Sequence, residues 1–284
     1  SVGASNSVST DRINGGNFSN TAQYVIMNWN KAEITAGTFQ TLDTASAVLF
    51  TSAFGSNANY VGELTISGGE FKHASDTQEM IVDHYDASNK GNAVITGGKF
   101  DADISKYIPT DYVQSADGTV EKLGETNAVA KVGGTYYKTL ADAVAAAQDG
   151  DTITLLKDAE LTSTLNLAKN ITIDGQGKYT IKAANSFTVG SDNKTYCVLY
   201  VSGEVTLKDV TVNGNEKCRV IFCDKGKLTI DGATITNGKA PNFIGGVYMT
   251  SSASFEMKSG SITGNKNACL LYTSPSPRDK RQSR

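Results

Sequence analysis

The amino-acid sequence predicts an all-β fold, a right-handed parallel β-helix (solenoid) in two units joined by a hairpin and linker region with one capping helix. Three observations predict it. A motif of Ile, a Gly pair and Phe recurs along the first hundred residues. In the second half, short strands rich in β-branched residues recur, each closed by Asn or Gly. Long helical periodicities are missing from both stretches, which excludes folds that alternate strand and helix.

The first motif reads Ile13-Asn14-Gly15-Gly16-Asn17-Phe18, Ile34-Thr35-Ala36-Gly37-Thr38-Phe39, Ile66-Ser67-Gly68-Gly69-Glu70-Phe71 and Ile95-Thr96-Gly97-Gly98-Lys99-Phe100. Its first residues are 21, 32 and 29 apart. One similar length with variable excess is what solenoid coils with loops of different size produce. In each coil an alternating strand, with Leu64 and Ile66 or Val94 inward, meets a Gly pair that permits a bend at positive φ. The Phe after the bend then stacks on the Phe of the next coil. A single coil cannot bury its own apolar face, so neighbours are required.

The second half repeats as Ile171-Thr172-Ile173-Asp174-Gly175, Val205-Thr206-Leu207-Lys208-Asp209, Leu228-Thr229-Ile230-Asp231-Gly232 and Phe255-Glu256-Met257-Lys258-Ser259-Gly260. The central residues Ile173, Leu207, Ile230 and Met257 are 34, 23 and 27 apart. A second short strand follows, as in Val210-Thr211-Val212-Asn213, Thr234-Ile235-Thr236-Asn237 and Ser261-Ile262-Thr263-Gly264. Asn and Gly both tolerate the left-handed backbone that a coil corner needs.

Between the repeats, Asp103-Ile104-Ser105-Lys106-Tyr107 reads as one helical turn. Tyr112-Val113-Gln114 and Thr119-Val120-Glu121 flank Asp117-Gly118, a hairpin signal, and Val132-Gly133-Gly134-Thr135 suggests another. Leu140, Ala143, Val144 and Ala147 share a helical face over about 139–148, with Thr139 as cap, Asp142 three residues on, and Gly150 to terminate. A helix there covers the exposed end of a β stack. Residues 1–125 therefore read as the C-terminal coils of a first β-helix with a closing hairpin, and 126–268 as a second with its own N-terminal cap. One continuous stack with a helical insertion is the alternative.

The chain has 284 residues, 19% charged and 39% hydrophobic. No apolar run reaches the ~18 residues of a membrane span. Its first residue is Ser1, which is the mark of a processed or cut N-terminus, and no signal segment is recognisable. Residues 269–284, from Cys269, break every preceding pattern and hold four of the 26 basic residues. They resemble a translated sequencing adapter: the common transposase-library adapter encodes Cys269 through Asp279 without a mismatch. The expectation is a non-native tail on a reading frame cut at both ends. Without it the net charge falls from −3 to −6, with Arg12 and Arg219 as the remaining arginines. Such a chain is a poor binder of nucleic acid and of anionic lipid. The three cysteines before the tail, Cys197, Cys218 and Cys223, fit no zinc spacing and read as small buried hydrophobes. A bond from Cys197 to Cys218 or Cys223 across coils stays open.

Several segments carry a family resemblance. Gly97-Gly98-Lys99-Phe100-Asp101-Ala102-Asp103-Ile104-Ser105-Lys106-Tyr107 is one, followed by Asp117-Gly118-Thr119. Tyr137-Lys138-Thr139-Leu140 with Gly150-Asp151-Thr152-Ile153-Thr154-Leu155-Leu156 is another. A third is Gly245-Gly246-Val247-Tyr248 with Gly264-Asn265. Together these resemble the large adhesin-like β-helix repeat proteins on the surface of gut Gram-positive bacteria, with a pectate-lyase-like fold. The resemblance implies secretion, attachment to the cell surface through an anchor outside these residues, and glycans or a host or cell-wall surface as partners. It specifies architecture well and activity poorly.

Pectin-degrading β-helix proteins include lyases and hydrolases, so the same reading asks for clustered carboxylates with a base. The best cluster is Asp83-His84-Tyr85-Asp86, with Asp76 nearby. In a regular strand Asp83 and Tyr85 face one way and His84 the other. Asp83 and Asp86 at a strand end have the chemistry to flank a sugar or hold calcium. A solvated loop after Met80-Ile81-Val82 is the plainer reading. Asp209 and Asp231 occupy related places in successive coils, where turn hydrogen bonds are favoured over calcium. Asp174-Gly175-Gln176-Gly177 lacks the following helix that a phosphate site requires. Trp29, Tyr136, Tyr137, Tyr196, Tyr200 and Tyr248 would form a sugar-stacking strip if exposed, and packing if not. The sequence therefore favours a noncatalytic module without metal or cofactor over a polysaccharide lyase or hydrolase.

Overall fold

The computed structural model describes residues 10–42, 47–53, 61–75, 78–86, 88–240 and 244–272, with backbone alone for 268–272. Asp76 and tail residues 273–284 lie outside the described residues. Contacts gather into two compact units, Ser1–Leu123 and Gly124–Arg284. Each is built of stacked parallel strands, so the all-β solenoid, a parallel β-helix, is the fold.

The first unit runs β1 (Thr10–Asn20), β2 (Tyr24–Asn28), β3 (Lys31–Thr41), β4 (Ala47–Thr51), β5 (Glu63–Lys72), β6 (Glu79–Val82), β7 (His84–Asp86), β8 (Asn89–Lys90) and β9 (Asn92–Phe100). Strands β1, β3, β5 and β9 make one parallel sheet, and β2, β4 and β6 a second. The register aligns Ile13, Ile34, Ile66 and Ile95, and likewise Phe18, Phe39, Phe71 and Phe100. The four rings form a stacked column with centroids 5.0, 4.8 and 4.5 Å apart. Each such pair adds about 0.5–1.5 kcal/mol beyond the area it buries.

The Gly pair acts as a bulge inside one long strand, where the register slips. Its two glycines serve different needs. Gly98 sits at φ +100, while a Cβ on Gly97 would lie 2.2 Å from the Ser67 carbonyl oxygen of the coil below. One inward residue differs from expectation: Ala93 and Ile95 are buried and Val94 is not. The bulge follows Ile95, so alternation counted back from it puts Val94 outside.

Past β9, a 3₁₀ turn (Ser105–Tyr107) and the antiparallel pair β10 (Tyr112–Gln114) and β11 (Val120–Lys122) close the stack. Phe100 N donates to the Gly118 carbonyl at 3.0 Å. Gln114 staples the turn, donating to Ala102 O at 2.8 Å and accepting from Ile104 N at 3.1 Å. Ile104 and Val120 join the buried core.

The second unit opens with the hairpin β12 (Ala130–Val132) and β13 (Thr135–Tyr137), then helix α1 (Leu140–Ala146). Five coils of three strands follow. They are β14 (Thr152–Leu155), β15 (Ala159–Leu161), β16 (Leu165–Leu167); β17 (Ile171–Asp174), β18 (Thr180–Ala183), β19 (Cys197–Val201); β20 (Glu204–Lys208), β21 (Thr211–Asn213), β22 (Arg219–Cys223); β23 (Gly226–Asp231), β24 (Ala233–Thr236), β25 (Ile244–Met249); and β26 (Ala253–Met257), β27 (Gly260–Thr263), β28 (Ala268–Tyr272). Corresponding strands pair in parallel, giving three sheets around one core. Ile173, Leu207, Ile230 and Met257 fall in register, as do Ile181, Val212, Ile235 and Ile262.

Two expectations are corrected. In this unit the sequence indicated two strands per coil, and each coil has three. Helix α1 is shorter than 139–148. Thr139 Oγ1 accepts from Asp142 N at 3.0 Å as a cap should, but the chain turns extended at Ala147, before Gly150. Lys169 stops it, its ammonium donating to the carbonyls of Val144, Ala145 and Ala147 at 3.2, 2.7 and 2.6 Å. Cys269 to Tyr272 lie in β28 beside β25. An unpaired sheet edge accepts any extended backbone, so this pairing reports the edge's capacity rather than the segment's origin.

Candidate functional site

The Asp83–Asp86 cluster sits where β6 ends and the short antiparallel pair β7–β8 begins. Residue 83 belongs to no strand, so the alternation expected there fails. Asp83 and His84 meet instead of facing apart, with His84 Nδ1 2.9 Å from Asp83 Oδ1. The other carboxylate oxygen accepts from Lys106 Nζ at 2.6 Å. Lys106 comes from the 3₁₀ turn and also lies 5.0 Å over the Tyr107 ring. Burial works against ionising Asp83, but the hydrogen bonds from Lys106 and His84 outweigh it and hold its pKa below the ordinary carboxylate value. The same bond raises the pKa of Lys106.

Asp86 is linked to them only through the charge of His84. Its carboxylate accepts from Ser88 N at 2.8 Å, Asn89 N at 3.0 Å and Asn89 Nδ2 at 2.9 Å, closing the β7–β8 turn. Those donors lower its pKa, that of Ser88 first. The hydrogen bonds of the two carboxylates thus serve separate local tasks.

Beside this cluster lies an aromatic group that the sequence does not reveal as one. Phe50, 2% exposed, underlies Trp29 and Tyr24, at ring distances of 4.9 and 4.7 Å. Trp29 in turn lies 6.1 Å from the ring of Tyr85, which is 71% exposed. The Tyr85 backbone is fixed by Ser52 Oγ, which accepts from its N–H at 2.9 Å and donates to Asn89 O at 2.8 Å.

In the second unit, Asp209 and Asp231 meet in successive coils through the backbone, Asp209 N donating to Asp231 O at 2.9 Å, with Asp209 at a corner of φ +46. The outward column reads Asp174, Lys208, Asp231, Lys258, with ion pairs of 2.8 Å (Lys208–Asp174) and 3.6 Å (Lys258–Asp231). Among the described residues, no group of three or more His, Cys, Asp or Glu gathers as metal ligands would.

Tyr200, Phe222 and Tyr248 form a second aromatic column, with centroids 5.8 and 5.3 Å apart. Phe222 is 4% exposed, and Arg219 is packed over the Phe222 and Tyr248 rings, so this column is packing rather than a strip open to sugar. Tyr136, Tyr137 and Tyr196 are partly buried, and none has a ring contact with that column. Cys197, Cys218 and Cys223 are buried and free, and burial pushes each thiol up to about 12. Thiols so raised are poor nucleophiles at neutral pH. In the turn Asp174-Gly175-Gln176-Gly177, Asp174 accepts from Gln176 N at 2.8 Å and no helix follows. No helix among the described residues is long and apolar enough to cross a membrane.

Compared with known proteins, the chain matches no family model, no curated sequence and no solved structure.

Proposed function

We propose that the chain is a noncatalytic module of an extracellular cell-surface protein, with an adhesin-like binding or spacer role. The observation that carries this is the commitment of Asp83 to His84 and Lys106 and of Asp86 to its own turn. A general acid–base pair needs carboxylates converging on a shared space with a proton to give or take. Both of these are ionised and engaged. The regular stack of coils and the resemblance to adhesin-like surface repeats support the surface role, with glycans or a host or cell-wall surface as partner.

The competing reading is a polysaccharide lyase or hydrolase of the pectin-degrading type, using the Asp83–His84 pair. Incubating the full chain with polygalacturonate and measuring new unsaturated or reducing ends separates the two. The expected result is no product above buffer, for the chain and for Asp83→Ala alike. Product that disappears in His84→Ala would replace the binding reading with the enzyme.

A further inference from the structure

We infer that the outward face of the sheet containing β14, β17, β20 and β23 carries a binding groove for a neutral oligosaccharide laid along the stack. The inference rests on the binding arm of the function proposed above and gives it a place and a ligand class. Thr152, Thr172, Thr206 and Thr229 fall in register, one from each of four successive coils. Their neighbours Ile153, Ile173, Leu207 and Ile230 are buried in the core, so alternation turns the threonines outward. Strand spacing sets the members of this row about 4.8 Å apart, over about 14 Å in all. Glu256 continues the row in the last coil.

Thr172, Thr206 and Thr229 line a groove of about 260 Å³ together with Asn170 and Glu204. None of the three threonine hydroxyls has a hydrogen-bond partner among the described residues. Thr229 is 5% exposed and still lines the groove, so its hydroxyl is largely withdrawn from bulk water without a protein partner in exchange. A polar group so placed costs free energy until a ligand atom or an ordered water bonds it. Asn170 adds donors: its Oδ1 accepts from Glu204 N at 3.0 Å, which leaves its amide N–H groups for a ligand. Threonine is branched at Cβ and stiff about χ1, so the row loses little freedom on binding.

Charge and surface chemistry narrow the occupant. The charged residues lining the groove, Glu204, Lys227, Glu256 and Lys258, cancel. The lysines beside it are already engaged: Lys208 with Asp174, Lys227 with Glu256 and Lys258 with Asp231, at 2.8, 2.5 and 3.6 Å. Lys169 is held by the carbonyls at the end of α1. A polyanion would meet Glu204 with none of these cations to spare, so the ligand is neutral. An added peptide strand needs the backbone groups of a sheet edge, which the face of a sheet does not offer. Each threonine sets a methyl beside a hydroxyl that both donates and accepts. A chain of pyranose rings presents the same mixture of C–H surface and hydroxyls, repeated along its length.

The experiment titrates the full chain, in a calorimeter, with soluble neutral glucan, xylan and mannan oligosaccharides and with oligogalacturonate. Retardation in gels containing the matching polysaccharides is read in parallel. At least one neutral glycan should bind saturably. The double variant Thr206→Val with Thr229→Val keeps the shape of the row and removes two hydroxyls, and it should weaken that binding on the order of tenfold or more. Thr206→Ser with Thr229→Ser keeps both hydroxyls and should largely preserve it. Valine suits a strand, so the first variant is expected to fold, and an unchanged circular dichroism spectrum verifies that. Glycan binding indifferent to the valine variant, or lost equally in the serine variant, overturns the hydroxyl groove while the binding reading stands. A response to oligogalacturonate alone overturns the ligand class. Neither heat nor retardation with any probe overturns both and leaves the spacer role.

Discussion

In the first unit an aromatic column runs beside aliphatic ones: Phe18, Phe39, Phe71 and Phe100 stack within 7° of parallel, and Phe39, Phe71 and Phe100 share the buried core with Ile34, Ile66 and Ile95. In the second the core column is aliphatic, with Ile173, Leu207 and Ile230 buried in register and Met257 of the last coil aligned with them but exposed. Its aromatic column, Tyr200, Phe222 and Tyr248, instead alternates with the core-lining Leu199, Ile221 and Val247. Both units stack like on like, because the coil repeat sets neighbouring side chains a strand spacing apart. They differ in how the coil turns. A bulge built on Gly bends one long strand in the first unit. In the second, corners at Gln176, Asp209 and Asn237, all at positive φ, separate three short strands. A ring column inside the core thus goes with few, long strands, and a purely aliphatic inner column with a tighter three-sided coil.

The sharpest way to break this comparison is to remove a ring from the middle of the first column. Phe71 is fully buried between two stacked neighbours. Phe71→Ala should destabilise the chain by about 3–5 kcal/mol, from lost transfer energy and a residual cavity. Leu207→Ile, a volume-conserving change in the aliphatic column, should cost less than about 1.5 kcal/mol. Urea unfolding followed by circular dichroism reads both. Equal losses would mean that the ring column contributes no more than shape.

How much of this was legible in the sequence follows from periodicity. The Ile and Phe columns, the closing hairpin and the Thr139 cap were readable because each repeats or obeys a local rule. The third strand of each coil was not. Cys197-Val198-Leu199-Tyr200-Val201 and Arg219-Val220-Ile221-Phe222-Cys223 are almost continuously buried, so they show no alternation and pass for apolar loops. The candidate site was half legible. Asp83, His84 and Asp86 stood out as a cluster, but their contacts depend on residues far along the chain. Lys106 reaches Asp83 across 23 residues, and Trp29 and Tyr85 meet only because β2, β4 and β6 stack.

A second test turns on sign. Arg219 is 5% exposed, its Nε donates to Ile244 O at 3.2 Å, and its Nη1 is buried without a hydrogen-bond partner. Burial lowers its pKa. The rings of Tyr248 and Phe222, 4.9 and 5.7 Å away, return part of the desolvation cost. Replacing a buried charge by an apolar group of similar volume is often neutral or stabilising, by about 1–4 kcal/mol. Arg219→Met should therefore leave the unfolding midpoint unchanged or raise it. A clear fall would show that the aromatic column of the second unit depends on its guanidinium, as the column of the first depends on no charge at all.

The smallest expected effect concerns the junction of Asp83 with His84 and Lys106 in the first unit. The folded-state pKa of Asp83 is depressed, so its contribution is fully present above the unfolded value of about 3.9 and is lost as pH falls through the folded value. Lys106 is 69% exposed on its side chain, so solvent screening limits the pair to about 0–1 kcal/mol. Asp83→Asn should lower stability slightly at pH 7 and flatten the acid limb of the stability profile below about pH 4. Added salt should shrink the difference between the two proteins. An acid limb identical in both would assign the acid sensitivity to other carboxylates.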